Sequence, residues 1–194
     1  MKKILTIIIS IIIISNNLNA DTIIHVGNLI DGKSDRTSKN VTIHISDSTI
    51  KKIEQGFSVP NADDKVVNLK NHTVLPGLMD THVHLTGEYN ANSRLQRFIL
   101  NEADYAFNAA KYAKKTLEAG FTVVRNLGGP FNVTVALRKA IEEGDVPGPK
   151  IFTAARSLSS TGGHGDSTNG WAKHIMGDYG PNEGIVNSPA DARK

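Results

Sequence analysis

The stretch 75–88, LPGLMDTHVHLTGE, is the most informative segment of the sequence. Pro76 and Gly77 open an apolar run that ends in two histidines, His82 and His84. Side chains alternate across a β-strand, so both imidazoles and Asp80 are expected on one face. Two imidazoles in that arrangement can converge on one zinc ion, which takes nitrogen ligands at about 2.0–2.1 Å. A His-x-His pair on its own is more often structural. Here the pair closes an apolar strand, follows a small β-rich segment and precedes βαβ units, and this context predicts a metal site at the carboxyl end of the strand, where parallel barrels hold their catalytic residues.

Three apolar segments predict parallel strands. The first covers 73–84 and contains the histidine pair, the second covers 121–126, and the third covers 151–155. The segment 157–187 that follows is rich in Gly, Ser and Asn and is longer than the roughly 12–15 residues that ordinary connections reach, so a functional loop is expected there.

Helices are expected between these strands. After residue 90, apolar residues recur at steps of three and four, which predicts one long helix that Gly120 ends. A second helix is expected from a cap at Asn132 to Gly144, and Ser188 is expected to cap a third. Strands that alternate with helices favour parallel βαβ units. The stripe of the long helix consists of Leu95, Phe98, Ile99, Ala103, Ala106, Ala110, Ala113 and Leu117.

The N-terminus has the pattern of a secretory signal peptide. Lys2 and Lys3 precede an apolar run over 4–14, and Ala20 is a suitable residue before a cleavage site. The run is shorter than the roughly 20 apolar residues of a membrane-spanning helix. Cleavage before Asp21 is predicted, with a periplasmic or secreted product that keeps no stable membrane span. An uncleaved N-terminal anchor is the alternative.

Composition excludes several function classes. The chain has no cysteine, so disulfides and thiolate metal sites are excluded and any metal must be held by nitrogen and oxygen ligands. Loss of Lys2 and Lys3 lowers the formal net charge from +3 to +1. Without a basic cluster, no nucleic-acid partner is expected.

Three regions are expected along the chain: a signal peptide over 1–20, a small β-rich domain over 21–72, and about three βα units over 73–194. His25 and His44 fall inside strands of the second region and are expected to be structural. Three parallel strands leave an open sheet edge, so the chain is expected to be the first part of a longer architecture.

Several motifs, in this order, resemble the amidohydrolase superfamily, specifically its imidazolonepropionase-like and Xaa-Pro dipeptidase (prolidase-like) branch. They are GNLIDG, VLPGLMDTHVHL, GFTVVRNLGG, AIEEGDVPGPKI and STGGHGD. The resemblance implies an α/β fold: the N-terminal portion of a metal-dependent (β/α)8 TIM barrel, truncated after strand 3 and preceded by a small β-sandwich-type domain. It also implies one or two divalent ions, most often zinc, and hydrolysis of carbon–nitrogen bonds in a small-molecule substrate, either a dipeptide or a cyclic amide.

By resemblance, His82 and His84 match metal ligands, and His164 matches a residue that faces the substrate. Asp80 either orients an imidazole or accepts hydrogen bonds from backbone donors. His164 has the alternative of a plain loop side chain, which is the role expected for His174. Arg125 is expected either to face the site or to close a structural ion pair.

Other residues that the resemblance implies fall outside this sequence. They are a carboxylated lysine on strand 4, histidines on strands 5 and 6, and a catalytic aspartate on strand 8. Asn126 also stands where relatives usually have Asp. No catalytic residue is therefore expected within the chain, and the chain alone is expected to be inactive. The alternative is a non-enzymatic truncated product or a metal-binding module.

Overall fold

The structure is a computed structural model that describes residues 20–194. The predicted signal peptide, apart from Ala20, lies outside this range. Within the range, no helix is both long enough and apolar enough to cross a membrane. The chain divides into two compact units at the Pro76–Gly77 bond.

The first unit is a single four-stranded sheet. Its strands are β1 (Thr22–Leu29), β2 (Ser38–Ser46), β3 (Thr49–Gln55) and β4 (Lys65–Val74), in the spatial order β3-β2-β1-β4. β1 runs antiparallel to β2 and parallel to β4, and β2 runs antiparallel to β3. Alternating apolar residues bury one cluster, which contains Val26, Leu29, Val41 and Ile43.

Two of the three histidines of the first unit, His25 and His44, have partners inside it. The Nε2 atom of His25, a buried residue, lies 3.0 Å from the carbonyl oxygen of Ser58. Nε2 of His44 lies 2.8 Å from a carboxylate oxygen of Glu54. Both imidazoles therefore have structural contacts within this sheet.

The second unit is an α/β layer built on a three-stranded parallel sheet, β5-β6-β7. Apolar faces of α2 and α3 cover the sheet and bury a cluster around Val124 and Ile151. This arrangement confirms the α/β class, while barrel closure and truncation stay predictions. The elements are β5 (Leu78–Val83), α1 (Ser93–Ile99), α2 (Glu102–Glu118), β6 (Phe121–Asn126), α3 (Val133–Glu143), β7 (Lys150–Thr153) and α4 (Lys173–Met176), with 3-10 turns at Pro181–Glu183 and Asp191–Arg193.

The predicted strand over 73–84 is wrong in its bounds. Thr73 and Val74 belong to β4 and pair with β1, and β5 starts only at Leu78. Pro76 has no N–H to donate to a ladder, which favours a break here. At Gly77 a Cβ atom would collide with the side chain of Thr122, so only glycine allows this approach to β6.

The single long helix expected after residue 90 is also wrong, because the structure has two helices. Leu100 and Asn101 are extended, with φ/ψ of −90°/134° and −95°/175°. The Asn101 N–H donates to the Asp104 carboxylate at 2.8 Å, and Glu102 and Asp104 place negative charge in the first turn of α2. Local capping therefore interrupts an apolar stripe that continues through the break.

Two further helix ends differ from expectation. Asn132 precedes α3 in a left-handed conformation, and its side chain makes no capping hydrogen bond. The helix expected at Ser188 is one 3-10 turn, in which the Asp191 N–H donates to the Ser188 hydroxyl at 3.2 Å. Gly144, with φ of +83°, ends α3 as expected from its freedom to adopt positive φ.

Candidate functional site

The site begins with two neighbouring imidazoles. His82 lies in β5 and His84 directly follows that strand. Their ring centroids are 5.5 Å apart and their planes make an angle of 65°. Both side chains are exposed. A single residue, Val83, separates the two histidines in the chain, and their rings lie next to each other at the carboxyl end of β5.

The ring of His84 is held in one orientation by a backbone carbonyl. Its Nδ1 atom lies 2.9 Å from the carbonyl oxygen of Gly128, in the loop after β6. A carbonyl oxygen only accepts, so Nδ1 carries the hydrogen and Nε2 of the neutral ring keeps its lone pair. This arrangement is typical of metal-ligating histidines, whose second nitrogen donates to a carbonyl or carboxylate.

Asn126 connects the histidine segment to the Gly128 loop. It is fully buried, its Oδ1 accepts from the Leu85 N–H at 2.9 Å, and its Nδ2 donates to the Gly128 carbonyl at 3.2 Å. The carbonyl that orients His84 is therefore itself fixed by Asn126. In the sequence Asn126 stands out as a departure from Asp, and its place at the end of an apolar strand is a second signal of a structural role.

Replacing Asn126 by alanine is expected to destabilise the second unit by roughly 1–3 kcal/mol, because the buried Leu85 N–H loses its acceptor. Urea unfolding followed by circular dichroism measures this difference. Asn92→Ala is the matched control, since Asn92 is exposed and makes no side-chain capping bond. Equal midpoints for the two variants would contradict the role given to Asn126.

Asp80 and Arg125 both bind backbone atoms. The Asp80 carboxylate accepts from the His82 N–H at 2.9 Å, which is the backbone-acceptor role that the sequence left open. A register shift between Asp80 and Val83 also breaks the simple alternation expected along this strand. Arg125 donates from Nε to the Thr81 carbonyl at 2.9 Å. A role for Asp80 in orienting an imidazole stays a prediction.

The long loop after β7 is organised around a buried aspartate. The Asp166 carboxylate accepts from the Thr168 hydroxyl at 2.7 Å, the Gly162 N–H at 2.8 Å and the Thr168 N–H at 2.9 Å. These hydrogen bonds, that of the Thr168 hydroxyl foremost, hold the pKa of the Asp166 carboxyl below its ordinary value of 3.8. His164 and His174 are exposed in the same loop.

The turn around Asp166 is expected to loosen only in acid. A lowered pKa in the folded protein means that the carboxylate stabilises the turn at neutral pH and that this stabilisation is lost as pH falls through the folded-state value. The amide resonances of Gly162 and Thr168 should shift together with one midpoint below 3.8. Asp166→Asn should abolish that shared transition, whereas a midpoint above 3.8 would contradict the hydrogen-bond assignment.

The histidine pair supplies two of the ligands that a zinc-like divalent ion needs. Two imidazoles, one of which has its Nδ1 against a carbonyl and its Nε2 available, are suitable nitrogen ligands. Over residues 20–194, no group of three or more His, Cys, Asp or Glu side chains is placed to hold a metal ion. His164 is therefore not brought into such a cluster, and the described chain offers a pair of ligands.

The chain is similar to hydrolases of known sequence and structure. Residues 73–190 match the Amidohydrolase family. The chain is 30% identical over 162 residues to an ochratoxinase of Aspergillus niger, covering 82% of this chain and 33% of that protein. It is also similar to a Xaa-Pro dipeptidase crystallised with methionine in its active site, with 40% identity, a TM-score of 0.78, and coverage of 89% of this chain and 42% of the other. A prolidase complexed with N-methylphosphonate-L-proline gives 30% identity, a TM-score of 0.64, and coverage of 76% and 35%.

Proposed function

The chain belongs to the amidohydrolase family, and from this membership we propose that it contributes part of the metal site of a hydrolase that cleaves carbon–nitrogen bonds in dipeptides or cyclic amides. The family is generally metal-dependent, and the similar hydrolases support action on amide bonds of small molecules. The observation that carries the proposal is the pair of adjacent imidazoles in which Nδ1 of His84 is bound to a carbonyl.

His82 and His84 are the residues proposed to hold the metal, with zinc as the favoured ion because both ligands are imidazoles. A bound zinc ion would act as a Lewis acid on the scissile carbonyl. Other residues of the chain hold these two histidines in position. The Gly128 carbonyl fixes the ring of His84, and the Asp80 carboxylate fixes the backbone of His82.

The proposed substrate is an Xaa-Pro dipeptide or a related amide. Support comes from similarity to the Xaa-Pro dipeptidase and to the prolidase, at 40% and 30% identity. His164 is proposed to face that substrate, since it lies exposed in the loop that follows the carboxyl end of β7. Export of the protein is also proposed, on the residues of the signal-peptide pattern alone.

A second candidate is a metal-binding chain without activity of its own. The chain spans 33% of the ochratoxinase and 42% of the dipeptidase, and its described residues place no third ligand near the histidine pair. Catalytic zinc sites normally combine three protein ligands with an open position. These observations favour an incomplete centre for the chain alone.

One assay separates the two candidates. The zinc-loaded protein is incubated with Xaa-Pro dipeptides and with a cyclic amide, and release of proline or ring opening is followed with and without a chelator. Zinc-dependent hydrolysis that His82→Ala removes supports the hydrolase. Zinc binding through the histidines without turnover supports the metal-binding chain. Absence of both zinc binding and turnover contradicts both candidates.

A further inference from the structure

A cationic cleft, lined by residues other than the histidine pair, lies between α1 and the long loop. Tyr89, Arg94, Arg97, Asn169 and Trp171 line a cavity of about 200 Å³. The helix follows β5 in the chain and the loop follows β7, so both walls come from connections beyond the carboxyl ends of parallel strands. That end of a parallel α/β sheet is where ligands bind.

Two contacts join the walls of this cleft. Arg97 donates from Nη1 to the Ser167 carbonyl at 3.1 Å. The rings of Phe98 and Trp171 meet edge to face, with centroids 5.0 Å apart and an interplanar angle of 76°. Edge-to-face pairs stabilise such contacts beyond the area they bury. The loop segment with Trp171 is therefore held on α1 by one polar and one aromatic contact.

The two arginines of the cleft have no acidic partner within residues 20–194. Among the ion pairs of residues 20–194, neither Arg94 nor Arg97 takes part. The guanidinium carbon of Arg94 lies 6.0 Å from the centre of the Trp171 ring, and Arg97 donates one N–H to the Ser167 carbonyl. Each guanidinium has five N–H donors in a planar fork, so several remain for an anion.

The side chains that line the cleft indicate which chemical groups a ligand would need. Guanidinium groups match carboxylates in bidentate geometry, and an aromatic ring contacts the apolar part of a small molecule. A cavity of about 200 Å³ is smaller than the roughly 300–1,000 Å³ of drug-sized sites, so it fits one end of a substrate. Tyr89, with 99% of its surface exposed, is available as a second aromatic wall.

We propose that this cleft binds the free carboxylate of the substrate through Arg94 and Arg97, with Trp171 against the adjoining apolar group. The inference rests on the proposed hydrolase function and narrows its substrate class. A cationic recognition site selects open-chain amides that end in a carboxylate, such as dipeptides, over cyclic amides that lack one.

Trp171 is the only tryptophan of the chain, so its fluorescence reports on the cleft directly. The full chain is titrated with phenylacetate and with phenylacetamide, which has nearly the same shape and no charge. Phenylacetate should change the emission in a saturable way and bind at least about tenfold more tightly than the amide. Added salt should weaken phenylacetate binding because the cleft is open to solvent. Equal affinity for the two probes, or no saturable change with phenylacetate, overturns the proposal.

Variants test which residues carry the binding. Arg94→Gln and Arg97→Gln should each weaken phenylacetate about tenfold, and Arg97→Lys should weaken it less because the charge is kept. Arg36→Gln, in the first unit, is the matched control and should leave the affinity unchanged. Circular dichroism checks that each variant is folded.

Three results of the variant series count against the cleft. The first is an unchanged phenylacetate affinity in Arg94→Gln. The second is a loss of affinity in Arg36→Gln equal to that in the cleft variants. The third is displacement of phenylacetate by inorganic phosphate with an affinity equal to that of phenylacetate itself. Zinc binding at His82 and His84 is measured separately and does not depend on the cleft. Failure of the carboxylate site is therefore distinguishable from failure of the metal-dependent hydrolase.

Discussion

His82→Ala and His84→Ala are each expected to lower the affinity of the protein for zinc by at least roughly 10–100-fold. Loss of a residue that only supports a ligand costs about that much in metal sites, and these two side chains are proposed as the ligands themselves. Isothermal titration with zinc measures the effect directly. Because each variant leaves a single imidazole in the site, the double variant should show no specific binding.

His174→Ala is the matched control for the histidine pair. His174 is exposed in the loop after β7, as the pair is exposed near β5, so it tests whether any surface histidine captures zinc. Nitrogen NMR of the imidazoles gives a second measurement. Nδ1 of His84 should carry the hydrogen with and without zinc, since it faces the Gly128 carbonyl. Zinc binding that survives in the double variant, or a loss in His174→Ala equal to that in His84→Ala, would falsify the assignment.

Gly128→Ala is expected to destabilise the second unit by roughly 2–5 kcal/mol, combining backbone strain with overpacking. Gly128 has φ of +122°, a conformation that L-residues rarely adopt. An added Cβ would also lie 2.5 Å from the backbone nitrogen of Ser157 and 3.1 Å from its Cα. Ser157 cannot retreat easily, because its hydroxyl donates to the Leu127 carbonyl at 2.7 Å.

Gly144→Ala separates the two causes. Gly144 also has positive φ, +83°, but its Cβ would enter open space, so only the conformational cost of about 1–2 kcal/mol applies. Urea unfolding of both variants measures the difference. Gly128→Ala should in addition weaken zinc binding, because the carbonyl that orients His84 belongs to Gly128, whereas Gly144→Ala should not. Equal losses of stability in the two variants would refute the steric argument.

Local sequence patterns predicted the bounds of an element correctly where a single signal acted on it. The strand over 121–126 is present with the expected bounds, because FTVVRN is a short apolar run between a glycine and a Gly-Gly turn. The end of α3 at Gly144 followed from the same kind of signal. Patterns misled where two signals competed. The apolar stripe after residue 90 continues from Ile99 to Ala103, but the Asn101–Asp104 hydrogen bond starts a new helix between them.

The α/β class followed from the sequence alone, because apolar strand runs and helical periodicity are local properties of the chain. The family followed from the resemblance of several motifs, and His82 and His84 are neighbours because a single residue separates them. Tertiary structure decided what surrounds those histidines. The Gly128 carbonyl that fixes His84 lies 44 positions along the chain, and Arg97 meets Ser167 across 70 positions. Such contacts depend on how parallel strands bring their following loops together, and no periodicity in the chain encodes which atoms then meet.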